Sequence, residues 1–129
     1  MQNLCAMKEE KHNETIVAAV DDIIFSAKIK STAEIQGINI KIIRSTQKLI
    51  DLLSETTPTK VIVDLHSEKC EPFFIAESIK GNEKFKNTKL IGFFSHVYTE
   101  LMEKAIEAGY DEVLTRSAFT KKLSQILRD

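Results

Sequence analysis

Five short apolar runs alternate along the chain with five segments of helical spacing. The runs are TIVAAV (15–20), INIKII (38–43), KVIVD (60–64), KLIGFF (89–94) and DEVLT (111–115). Short runs rich in Val and Ile, bounded by turn residues, suit strands buried on both faces of a sheet. INIKII alternates most between apolar and polar positions, which predicts an edge strand.

The intervening segments carry apolar residues every three or four positions. Phe25, Ile29 and Ala33 share one face of 22–36, which Gly37 ends. Leu49, Ile50 and Leu53 stripe 45–55, with Ser45 as the expected N-cap. Phe74, Ile75, Ser78 and Ile79 stripe 72–80, where Pro72 suits a first turn and Gly81 an end. Leu101, Ala105 and Ala108 stripe 98–108, and Phe119, Leu123 and Ile126 stripe 118–127. Residues 81–88 read as a polar loop, and 1–14 as a charged extension ahead of one domain at 15–129.

Strict strand–helix alternation with short connections implies an α/β fold: a doubly wound parallel sheet with helices on both faces. Ligands of such sheets sit outside the carboxyl ends of the strands. The residues predicted there are Asp21 and Asp22 after the first strand, Asp64 after the third, Ser95 and His96 after the fourth, and Arg116 after the fifth.

Composition narrows the function classes. With 129 residues the chain is long enough for one core. The 18 basic and 19 acidic residues form no stripe, so neither nucleic acid nor a membrane surface is an expected partner. No apolar stretch approaches the roughly 20 residues of a membrane span, and 1–14 lacks the apolar segment of a signal peptide. Cys5 and Cys70 are isolated and lack metal-ligand spacing, so reduced thiols and a cytoplasmic location are expected.

Asp21, Asp22 and Asp64, brought together with Ser95 and Arg116, make a recognisable combination. Clustered carboxylates repel one another or recruit a divalent cation, and a hydroxyl and a cation opposite them suit a phosphoryl group. Over roughly 15–128 the chain resembles the receiver domain of two-component response regulators, the family of the bacterial chemotaxis regulator. VDD (20–22) matches its Mg²⁺-binding acidic pair, VIVDL its phosphoacceptor at Asp64, and IGFFS its phosphoryl-contacting hydroxyl at Ser95. EAGYDEVLTRSAF (107–119) is similar to the family's end region. The separations of 42, 31 and 21 residues between Asp22, Asp64, Ser95 and Arg116 also fit. The resemblance implies a flavodoxin-like, five-stranded sheet in the order 2-1-3-4-5. It also implies Mg²⁺ held weakly by Asp21, Asp22 and Asp64, and a histidine kinase or other signalling protein as partner.

Departures from the pattern carry as much weight. Arg116 and Ser117 stand where the family has a lysine followed by a cis-proline, and Val113 replaces an aromatic residue of the fifth strand. LHSEKCEP replaces the Met-Pro and Gly-rich loop after the phosphoacceptor. A guanidinium is not a point-charge ammonium. Arg116 is expected to pair with Asp64 at rest, lowering its basicity and blocking attack.

The expected function is therefore a stand-alone receiver-like signalling protein acting by interaction, with weak or no phosphorylation. A working phosphoacceptor at Asp64 is the alternative, and a small flavodoxin-like enzyme or ligand-binding domain a distant one. Asp64-x-His66 starts a cobalamin-type motif, but Lys69 stands at its glycine, and no Gly-x-Ser-x-Gly or Walker sequence occurs. Bland roles remain for each site residue: Asp21 and Asp22 as helix caps, Asp64 as a turn carboxylate, Ser95 as a cap, His66 and His96 as polar rim. Tyr98, Leu101, Met102 and Ile106 add apolar surface to 98–127, where a homodimer contact is expected.

Overall fold

All five apolar runs become strands of one parallel sheet. A computed structural model describes residues 15–95 and 99–129; the extension 1–14, with Cys5, and His96 and Tyr98 lie outside the described residues. The strands are β1 (Ile16–Ala19), β2 (Ile40–Ile43), β3 (Lys60–Asp64), β4 (Lys89–Phe94) and β5 (Glu112–Thr115). The helices are α1 (Ile23–Ile35), α2 (Thr46–Glu55), α3 (Pro72–Lys80), α4 (Thr99–Ala108) and α5 (Arg116–Arg128). The strand order is β2-β1-β3-β4-β5, with every pair parallel. INIKII does supply an edge strand.

Alternation along the strands divides the core into two layers. Val17, Ala19, Val61, Val63, Leu90 and Phe94 face α2, α3 and α4, against Leu49, Leu53, Ile75, Ile79 and Ala105. Ile16, Ala18, Ile62, Ile91 and Phe93 face α1 and α5, against Ile29, Ala33, Phe119 and Leu123. Because these strands are covered on both sides, polar positions are nearly absent from β1 and β3. One is Lys60, buried at the amino edge, whose Nζ donates to the Ile126 carbonyl at 2.7 Å and ties the end of α5 to β3.

Local chemistry sets the helix ends. Ser45 caps α2 by accepting from the Lys48 N–H, and Pro72 opens α3. Gly37 follows α1 at φ +68°, a conformation glycine adopts without strain.

Four details differ from the sequence expectation. Phe74 is 47% exposed, because the buried line of α3 runs through Pro72, Ile75, Ala76 and Ile79 at helical spacing. The segment 81–88 is not merely a polar loop: Glu83–Phe85 forms a 3-10 turn that buries Phe85 under the sheet. Leu101 and Met102 pack partly into the core, leaving Ile106 exposed on α4. Finally, α5 begins at Arg116, with Thr115 as its N-cap, which places Arg116 in a helical turn rather than at a strand end.

Candidate functional site

Asp64 is the last residue of β3 and is only 5% exposed. The chain turns immediately beyond it: the Ser67 N–H donates to the Asp64 carbonyl, and the His66 N–H donates to Asp64 Oδ1 at 2.9 Å. Burial pushes the Asp64 carboxyl above the usual carboxylate range, and the negative charge of Asp21 adds to the shift. The His66 N–H and the Arg116 guanidinium oppose the shift without reversing it. The basicity of Asp64 is thus raised, not lowered as the charge pairing alone would suggest, because desolvating a carboxylate outweighs a partly exposed cation.

Asp22 follows β1 and caps α1. Its Oδ1 accepts from the Phe25 N–H at 3.0 Å, and its Oδ2 lies 3.3 Å from Arg116 Nη2. The Phe25 N–H, helped by Arg116, holds the Asp22 carboxyl below its ordinary value. The two neighbouring carboxylates are therefore displaced in opposite directions. Asp21, beside them, contributes its charge.

Arg116 reaches this pair from the first turn of α5. Its Nη2 lies 3.9 Å from Asp64 Oδ2, so the closer partner is Asp22 rather than Asp64. Packing explains the preference. The guanidinium lies 4.5 Å from the centroid of the Phe25 ring, one turn along α1 from Asp22, and 5.8 Å from that of Phe93. Phe93 in turn stacks on Phe119 at 4.8 Å between centroids. The aromatic group that fills one core layer thus also forms the platform under Arg116.

Ser95 closes β4. Its backbone N–H donates to His66 Nε2 at 3.0 Å, which makes His66 a strut between the loop after β3 and the end of β4. Spacing alone treats His66 as a rim residue; its position two residues past a strand-end aspartate is the signal that a turn returns its ring to the sheet edge. Phe25 and Phe93 were legible as core residues, but not as the seat of a cation.

Asp22, Asp64, Ser95 and Arg116 are therefore brought to one edge, with Asp21 alongside. Among the described residues, no three His, Cys, Asp or Glu side chains converge as metal ligands. The donors are already committed: Asp22 to a helix cap and Arg116, Asp64 to the His66 N–H, and the space between them to a guanidinium. The arrangement as it stands does not fit a divalent cation. A separate cavity of about 530 Å³ opens at the opposite, amino edge, lined in part by Ile16, Gln36, Lys60 and Leu127.

No protein-family profile matches the sequence, and no curated protein matches it. Solved structures do. A response regulator from Hahella chejuensis superposes with a TM-score of 0.80 at 13% identity, covering 90% of this chain and 93% of that one. The chemotaxis response regulator of Vibrio cholerae gives 0.78 at 13% identity, over 89% and 96% of the two chains. The receiver domain of a sensor histidine kinase from Pseudomonas aeruginosa, with a magnesium ion coordinated in its active-site cleft, gives 0.77 at 13% identity, over 89% and 94%. With five parallel strands in the order 2-1-3-4-5 and five α-helices divided between the two faces among the described residues, this chain has the receiver fold of response regulators.

Proposed function

We propose that the protein is a receiver-like component of two-component signalling that acts by protein–protein interaction, with weak or no phosphorylation of Asp64. The carrying observation is the state of the acceptor. Asp64 is buried, its Oδ1 is bonded to the His66 N–H, and its Oδ2 faces a guanidinium already paired with Asp22. Phosphoryl transfer would form a bond from Asp64 Oδ2 to phosphorus as the donor's bond breaks, P–N in a phosphohistidine and P–O in acetyl phosphate. A phosphoryl group on that oxygen would have to draw Arg116, 3.9 Å away, from its closer partner Asp22.

Support for interaction comes from the surface beside the site. Ile23 and Ile24 open α1, and Phe73 and Phe74 open α3; they are 67%, 85%, 37% and 47% exposed. Both helices start at the carboxyl edge, so apolar side chains flank Asp64 on either face of the sheet. Exposed apolar groups at such a rim suit contact with another protein. A histidine kinase or other signalling protein is the partner on this reading, and a homodimer through 98–127 would use Ile106, which is 53% exposed. The Mg²⁺ that the resemblance implies, held weakly by Asp21, Asp22 and Asp64, would have to compete with Arg116 for these carboxylates. No described helix is long and apolar enough to cross a membrane; a cytoplasmic location accords with this reading.

The test is intact-mass analysis after incubation with acetyl phosphate and Mg²⁺. Wild type should label slowly or not at all, Arg116→Lys faster, and Asp64→Asn not at all. Rapid labelling of wild type, unchanged by Arg116→Lys, would instead establish a working phosphoacceptor.

A further inference from the structure

Arg116 makes four contacts at the carboxyl edge, each from a different residue: Asp22 and Asp64 through Nη2, and the faces of Phe25 and Phe93 beneath its plane. Such a setting fixes a cation. A guanidinium is planar, permanently charged and weakly hydrated, so it tolerates being laid on aromatic rings beside carboxylates where a hydrated ammonium does not. The rings are themselves anchored, since Phe25 lies 4.8 Å and Phe119 also 4.8 Å from Phe93 between centroids. The platform is continuous with the core and cannot shift without disturbing it.

From this geometry we infer that Arg116 is the resident cation of the site, and that its guanidinium balances the carboxylates in place of a divalent metal ion. The inference rests on the reading of the carboxyl edge as the signalling site, and it adds how that site is regulated. The charge that a receiver-type site can take from solution is here part of the chain. Occupancy therefore does not follow the free divalent-cation concentration.

The geometry at Asp22, the closer partner, agrees. Both oxygens of Asp22 are engaged, Oδ1 by the Phe25 N–H and Oδ2 by Arg116. A metal ion that shared Oδ2 would sit beside the positive charge of the guanidinium, which opposes its binding. The guanidinium is the removable partner, because losing the Phe25 N–H would uncap α1.

Mn²⁺ serves as the probe, since its paramagnetism broadens nearby amide signals in ¹⁵N-edited spectra. Wild type, Arg116→Ala and Arg116→Lys are titrated in parallel. Wild type should show no selective broadening at Asp21, Asp22 and Asp64 where the alanine variant is clearly broadened. An apparent affinity gain of about tenfold is expected, equivalent to about 1.4 kcal/mol. Should the alanine variant fold poorly, the lysine variant carries the test, because an ammonium loses the guanidinium's contact over the Phe25 ring; it should fall between the other two. Equal broadening in wild type and variants, or none in any of them, overturns the inference. Acetyl-phosphate labelling reads the other question separately: a wild type that labels rapidly yet stays unbroadened would sink the weak-phosphorylation reading and leave the resident cation standing.

Discussion

The backbone N–H of Ser95 donates to Nε2 of His66 at 3.0 Å, joining the end of β4 to the loop that leaves β3. His66 also donates its own N–H to Asp64 Oδ1. One residue therefore couples the buried carboxylate to the neighbouring strand end, and any group arriving at Asp64 must contend with that link. Replacing His66 with Ala should move the Ser95 amide resonance and speed its hydrogen exchange, with little loss of global stability, because a single exposed hydrogen bond contributes about 0.5–1.5 kcal/mol. A Ser95 amide that is insensitive to the substitution would show that the strut has no role.

Asp64 and Asp22 should respond to pH with opposite signs. The folded-state pKa of Asp64 is raised, so its contribution to stability is full at low pH and is lost as pH rises through that value. Asp64→Asn should therefore stabilise the fold at neutral pH, by about 0.5–2 kcal/mol, and the advantage should shrink on acidification. Asp22 has a lowered folded-state pKa, so its contribution is present above the unfolded value and lost as pH falls. Asp22→Ala should cost about 1 kcal/mol at neutral pH through the missing cap. Urea unfolding of the three proteins between pH 3 and pH 7 checks both signs.

Gly92 in β4 provides room where two side chains close over the sheet. A Cβ there would lie 2.9 Å from Leu65 Cδ2 and 3.0 Å from Tyr110 Cδ2. Tyr110 has little freedom to retreat, since its hydroxyl donates to the Pro72 carbonyl at 2.7 Å. Gly92→Ala should cost about 1–3 kcal/mol through overpacking, measured by chemical denaturation. A variant as stable as wild type would mean that Leu65 and Tyr110 move aside freely.

Cys70 should be chemically silent while the protein is folded. Burial pushes its thiol above the ordinary value, although the Ser67 side chain partly opposes this, and thiolate is the reactive form. Iodoacetamide should label Cys70 in denaturant and not in native buffer, as read by peptide mass. Labelling at equal rates in the two conditions would show that the loop after β3 opens readily.

Strand number, strand identity and the rim residues were legible in the sequence because they depend on local pattern. KVIVD and KLIGFF span β3 and β4 as observed, since strands covered on both faces leave an unbroken apolar signature. Alternation with helices then dictates a parallel sheet, and a parallel sheet gathers Asp21, Asp22, Asp64, Ser95 and Arg116 at one edge. Pairing within that edge lay beyond the sequence. Asp22 is the nearer partner of Arg116 because Phe25 and Phe93, 68 positions apart, meet across α1 and β4 to form a platform on the α1 side. Asp64 has a raised rather than lowered pKa because burial is a property of everything packed around a residue, and no window of sequence contains it. Chain periodicity determined which residues reach the site; tertiary packing decided which of them hold one another.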